Sequence, residues 1–228
     1  TRLNVDDKPM SYAQLVDAVN TAQVLVPTVT DNINASLINQ AGDQLKLIAN
    51  FGNGIDNVDV AAAARKGIIV TNTPNVLTED TADMTVGLLI AVSRRLQEGA
   101  QRLERGDWQG WSPTWMLGHR IWGKRLGIIG MGRIGAAIAR RCHFGFEMPV
   151  IYFNRSRKTI GMPARQVGSL QELAAHADVV VVAASGGAHS HHLIDAEVFE
   201  HMKPTAHLVN ISRGDVIDEA ALIAALQS

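Results

Sequence analysis

The sequence predicts an α/β protein built from parallel sheets in two doubly wound domains. Three observations carry that expectation. Short β-type runs alternate with helical segments along the whole chain, the order that parallel βαβ units require. One run, Val179-Val180-Val181-Val182, is apolar at every position, as a strand covered by helices on both faces must be. A glycine pattern, Gly130-Met131-Gly132-Arg133-Ile134-Gly135, stands between an apolar run and a helical segment.

In the first half the β-type runs are 2–5, 23–26, 45–49 and 67–70, and the helical segments between them are 12–20, 34–40 and 58–66. Asp59 precedes the alanine run 61–64 as a helix N-cap, and Gly67 follows it as a C-cap. Two loops follow strand ends, where open α/β sheets place ligands. Asn50-Phe51-Gly52-Asn53-Gly54-Ile55-Asp56 reads either as a cradle of backbone amides for a carboxylate or as a plain strand-to-helix turn. Thr71-Asn72-Thr73-Pro74-Asn75 reads as a crossing between domains.

A long helix is predicted from Thr78, with Glu79 and Asp80 at its positive end and a dense apolar stretch from Ala82 to Leu96. So apolar a helix is expected to be covered on several sides, between domains or subunits. Residues 106–123 then lose regularity but hold all four tryptophans, Trp108, Trp111, Trp115 and Trp122. Tryptophans clustered in an irregular arm point to contact with a second subunit, with cofactor stacking as the alternative.

The second half has strands at 126–130, 150–153, 179–182 and 208–211, and helices at 134–143, 170–175, 196–201 and 219–226. A dinucleotide fold of this type has six strands, so four before Ser228, together with an opening on Thr1 instead of Met, lead to the expectation of a chain truncated at both ends.

Composition narrows the function classes. The 228 residues, 46% hydrophobic and 19% charged, suit an ordinary soluble protein. A net charge of −1 provides no basic field for nucleic acid, so a small ligand is the expected partner. No apolar run reaches the roughly 18 residues of a membrane span, and a cytoplasmic location is the expectation. The single cysteine, Cys142, rules out an intrachain disulfide and reads as a buried inert thiol.

In the glycine pattern, Gly130 permits the tight strand-to-helix turn, Gly132 lets backbone approach a pyrophosphate, and Gly135 lets the helix pack close to the sheet. About twenty residues further on, NAD-binding folds place Asp or Glu for the adenosine ribose, whereas folds that take NADP admit Arg. Here the strand runs into Asn154-Arg155-Ser156-Arg157-Lys158, with no carboxylate. That turn favours NADPH over NADH, the alternative being a solvated basic turn. Asn210-Ile211-Ser212-Arg213-Gly214-Asp215 puts an arginine at a strand end, where its planar fork can grip a carboxylate or polarise a carbonyl, or form a surface ion pair. His189, His191 and His192 lack the partners a metal site needs, and no metal is assigned.

Four motifs in order, 47–59, 72–78, 126–135 and 210–218, resemble the D-isomer-specific 2-hydroxyacid dehydrogenases, most closely their glyoxylate and hydroxypyruvate reductase branch. The resemblance implies a flavodoxin-like substrate-binding domain over 1–76 and an NAD(P)-binding Rossmann domain over 77–228. It implies that Asn53 and Gly54 present amides to the substrate carboxylate, that Leu77 lines the pocket, and that Arg213 binds substrate and is catalytic. Thr81 would sit near the nicotinamide, Gly130, Gly132, Arg133, Ile134 and Gly135 at the pyrophosphate, and Asn154, Arg155 and Ser156 at the 2′-phosphate. Ala184, Ser185, Ile211 and Ser212 would complete the cofactor wall. The family's proton donor is a His oriented by a Glu, and both would fall beyond Ser228; none of the eight histidines matches. The implied function is NADPH-dependent reduction of a small 2-oxo acid by a cytoplasmic homodimer, with NADH as a possible second cofactor. The alternative is a non-catalytic NAD(P)H-sensing protein on the same fold, of the corepressor kind.

Overall fold

The computed structural model describes residues 2–5 and 8–228, which divide into two compact units, Thr1–Leu77 and Thr78–Ser228. In the first unit, helices α1 (Tyr12–Thr21), α2 (Ala35–Asn39) and α3 (Val60–Arg65) alternate with strands β1 (Val24–Leu25), β2 (Leu47–Ala49) and β3 (Ile69–Thr71). The strands pair in parallel, in the order β1-β2-β3. Each helix starts on a side chain that accepts an otherwise unpaired amide: Ser11 in a capping box with Gln14, Asn34 from Leu37, and Asp59 from Ala62 at 2.8 Å. Gly67, at φ +69, turns the chain out of α3, a conformation glycine adopts without strain. Leu15, Val19, Ile33, Leu37, Ile38 and Ile48 form the core.

Residues 2–5 do not form the predicted strand, and Leu3 and Val5 are exposed. Among the described residues no strand pairs with them, and apolar alternation without a partner leaves backbone groups to water.

The second unit opens with α4 (Thr78–Ser93) and α5 (Leu96–Glu104). Helix α4 ends near the predicted limit at Leu96, and Arg95, left-handed at φ +56, separates it from α5; the Arg95 guanidinium donates to Glu98 at 2.8 Å and to the Leu117 carbonyl at 3.1 Å. Ala82, Thr85, Leu89 and Ser93 are buried, while Met84, Leu88 and Val92, spaced four apart, form an exposed apolar stripe. Residues 106–123 are irregular, as predicted, and all four tryptophans are exposed.

The rest of this unit is β4 (Leu126–Ile129), α6 (Arg133–Phe146), β5 (Val150–Phe153), β6 (Arg165–Gln166), α7 (Leu170–His176), β7 (Val179–Val182), α8 (Ala196–His201), β8 (His207–Asn210) and α9 (Glu219–Gln227), with a 3-10 turn at Gly214–Val216. Five parallel strands lie in the order β6-β5-β4-β7-β8, one more than predicted. The extra strand, β6, has only two residues, too few to show a period. This is the doubly wound order, with its switch point between β4 and β7. Alternate valines of β7 enter different cores: Val179 and Val181 join Ile138 and Cys142, and Val180 and Val182 join Leu173 and Val198. Burial lifts the Cys142 thiol to about 12, so it stays protonated and inert.

Candidate functional site

At the end of β4, Gly130 adopts φ +97, and a Cβ there would lie 2.6 Å from the Ala184 nitrogen. Gly135 packs its α-carbon against the same turn, where a Cβ would stand 2.3 Å from the Gly130 carbonyl oxygen. Gly132 differs from both. It caps α6 without any side-chain hydrogen bond, and no atom lies within 4 Å of where its Cβ would be. The N-terminus of a 14-residue helix is thus approachable by an anion, with its dipole favouring negative charge. These residues fit a dinucleotide pyrophosphate.

The ends of β5 and β7 meet this loop, and the end of β8 meets that of β7. Beyond β5, the Asn154 side-chain carbonyl accepts from the Met131 amide at 3.1 Å, and its amide donates to the Ser156 carbonyl at 2.8 Å. Arg155 and Ser156 are exposed. Beyond β7, the Ala184 carbonyl accepts from the Ser212 hydroxyl. At the end of β8, Asn210 accepts from the Ser212 amide and donates to the Arg213 carbonyl, both at 2.9 Å, and so shapes the turn that carries Arg213. Gly130, Asn154, Ala184 and Ser212 therefore converge at the switch-point edge. Ile134 and Ile211 are half-buried there, while Arg133 and Ser185 are exposed. Thr81 lies on α4, where its carbonyl accepts from Thr85.

His191 and His192 stack with ring centroids 3.9 Å apart, and the His192 amide donates to Asp215 at 2.8 Å. Among the described residues no group of three His, Cys, Asp or Glu side chains is placed to hold a metal.

In the first unit the loop after β2 is built around Asn50, a buried polar residue only 1% exposed. It donates to the Gly54 carbonyl at 2.8 Å and accepts from Asn57 at 3.0 Å. Asn72 donates to the Asn53 carbonyl at 2.8 Å, and the Thr73 amide to Gly52 at 3.0 Å. Three successive carbonyls are thereby tied to internal donors, which lowers their repulsion of a carboxylate approaching the loop. Leu77 is partly exposed at the end of this unit.

Sequence reasoning singled out the loop but missed Asn50 as its organiser, and it missed Gln166, whose side chain donates to the Asn154 carbonyl at 2.8 Å. An asparagine just past a strand end is the signal for the first. The second left no local signal.

Residues 86–228 match the NAD binding domain of the D-isomer specific 2-hydroxyacid dehydrogenases. A protein of Staphylococcus aureus (strain USA300) named as a 2-hydroxyacid dehydrogenase is 42% identical over 217 residues, covering 93% of this chain and 67% of its own length. The crystal structure of the TT0316 protein from Thermus thermophilus is similar at TM-score 0.88 and 42% identity, over 96% of this chain and 69% of that one. A glyoxylate reductase from Paecilomyes thermophila is similar at TM-score 0.86 and 31% identity, again over 96% and 69%.

Proposed function

This chain belongs to the D-isomer specific 2-hydroxyacid dehydrogenase family of oxidoreductases, and on that footing we propose that the protein reduces a small 2-oxo acid, glyoxylate or hydroxypyruvate, to the D-2-hydroxy acid with NADPH. The observation that carries this reading is the convergence of the glycine loop, the basic turn after β5 and the Ser212-Arg213 turn at one sheet edge. The name of the similar glyoxylate reductase agrees with the substrate class. Relatives named as dehydrogenases and reductases favour an enzyme over a sensing protein.

When bound, NADPH supplies the hydride. Gly130, Gly132, Arg133, Ile134 and Gly135 would hold its pyrophosphate, Arg155 and Ser156 its 2′-phosphate, and Thr81, Ala184, Ser185, Ile211 and Ser212 its nicotinamide half. Asn154 would act on the cofactor chiefly through the loop it braces. Arg213 would grip the substrate carboxylate and stabilise negative charge developing on the carbonyl oxygen. The unit spanning residues 1–76 would be the substrate domain, with Asn53 and Gly54 at the carboxylate and Leu77 against the substrate's small side chain. The Met84, Leu88 and Val92 stripe with the exposed tryptophans would be the face of a homodimer. A cytoplasmic setting suits this chemistry.

Initial rates of the full-length protein with glyoxylate and hydroxypyruvate, each with NADPH and with NADH, test the reading. Turnover with NADPH at a higher kcat/KM than with NADH is the expected result. Equal or better efficiency with NADH overturns the cofactor assignment, and no turnover of either acid overturns the substrate assignment.

A further inference from the structure

The turn Asn154-Arg155-Ser156-Arg157-Lys158 concentrates three cations on exposed backbone, and an unbraced turn of that kind would lose much conformational freedom on closing around a phosphate. It is braced at both ends. At its start the Gln166 side chain donates to the Asn154 carbonyl at 2.8 Å. At its end the Tyr152 hydroxyl accepts from the Lys158 amide at 3.2 Å and lies 3.4 Å from the Lys158 carbonyl oxygen. Tyr152 and Gln166 are register partners across the β5–β6 pair. Tyr152 is buried, 2% exposed, so its hydroxyl requires a partner, and it finds one in the turn's own backbone.

We propose that Tyr152 and Gln166 are positioning residues for cofactor selection: they shape the 2′-phosphate turn from beneath, and so set the preference for NADPH over NADH. This rests on the reading of the basic turn given above. The glycine loop serves both cofactors alike, whereas the turn's cations meet only the additional phosphate. Loosening the turn therefore penalises NADPH selectively. The short strand β6 gains a role from this, since it carries Gln166 to the turn.

The test is to titrate NADPH and NADH against the protein and its Tyr152→Phe, Gln166→Leu and Arg155→Ala variants, following tryptophan fluorescence, with thermal midpoints as a check on folding. Phenylalanine keeps the ring packing and removes only the hydroxyl. NADPH binding should weaken about five-fold in each positioning variant, the worth of one hydrogen bond, while NADH binding changes by less than about two-fold. Unchanged NADPH binding in Tyr152→Phe and Gln166→Leu, or equal weakening of both cofactors, overturns the proposal. If Arg155→Ala collapses the NADPH preference while the positioning variants keep it, this inference alone falls. If Arg155→Ala also leaves the preference intact, the 2′-phosphate reading falls with it.

Discussion

Gly130 faces the backbone of Ala184 so closely that a Cβ would lie 2.6 Å from the Ala184 nitrogen, and it does so at φ +97. The contact joins the end of β4 to the end of β7, the two strands flanking the switch point. Gly130→Ala must therefore move backbone and also force alanine into left-handed space. A loss of about 2–4 kcal/mol in unfolding free energy follows, with dinucleotide binding lost alongside it. Denaturant unfolding checks this, and a wild-type midpoint would show that the two strand ends are not locked together.

Gly132 is the contrasting case in the same loop. Its φ of −80 is open to any residue, and a Cβ would meet nothing within 4 Å. Gly132→Ala should fold within about 0.5 kcal/mol of the parent. It should also bind NADPH about tenfold more weakly, because the methyl group stands where the pyrophosphate approaches the helix amides. Fluorescence titration beside a thermal melt separates the two effects. Undiminished binding would place the phosphates elsewhere.

Arg213 leaves the end of β8 on a turn set by Asn210. Arg213→Ala should lower kcat/KM for the 2-oxo acid by about 10²–10³, the cost of removing one donor to a developing oxyanion. Arg213→Lys should recover little of it, since an ammonium lacks the planar fork. Steady-state kinetics decide the matter, and an alanine variant near parental efficiency would remove Arg213 from the chemistry.

The parts of this fold that are legible in the sequence are those whose causes are local. Asp59 caps α3 through the amide of Ala62 in the helix's own first turn, and Gly135 is a glycine because the nearby Gly130 carbonyl leaves no room for a side chain. The basic turn is found by its distance from the glycine loop, since the length of one helix and one strand fixes that spacing. What escapes depends on distant partners. Helix α5, which no prediction named, starts at Arg95, whose guanidinium reaches the carbonyl of Leu117, 22 residues away. Strand β6 exists through its register with β5, and the grip of Gln166 on Asn154 spans 12 residues. Residues 2–5 show the reverse error, a strand-like pattern with no described strand to pair with.

Asp178 ties the start of β7 to the start of β4, accepting from the Arg125 amide and the Lys203 ammonium, both at 2.8 Å. Burial works against its ionisation, but the Lys203 ammonium and the Arg125 amide outweigh it and hold the carboxyl below its usual range. A folded pKa below the unfolded one means that the stabilisation is present above about pH 4 and is lost as pH falls through the folded value. Asp178→Asn should cost about 1–2 kcal/mol at neutral pH. Urea unfolding of parent and variant should converge below about pH 4, and a constant gap down to acid pH would contradict the charged-pair account.

His119 Nδ1 lies 3.1 Å from His207 Nε2, which joins the tryptophan arm to the first residue of β8. Burial first, and then the nearby His119, push His207 below the ordinary histidine value. In the window between the folded and unfolded values the unfolded chain binds more protons. Stability should therefore be full above about pH 6.5 and fall as pH drops through the folded value. Replacing the titrating ring by His207→Phe should flatten that fall, measured as denaturant midpoint against pH. Because His119 belongs to the same irregular arm as Trp108, Trp111, Trp115 and Trp122, protonation of His207 beside it also strains the proposed dimer face. Sedimentation of the parent should show more monomer at about pH 5.5 than at about pH 7.5, and the phenylalanine variant should show a smaller change. Identical pH profiles for the two proteins would mean that the imidazole pair has no part in holding the arm.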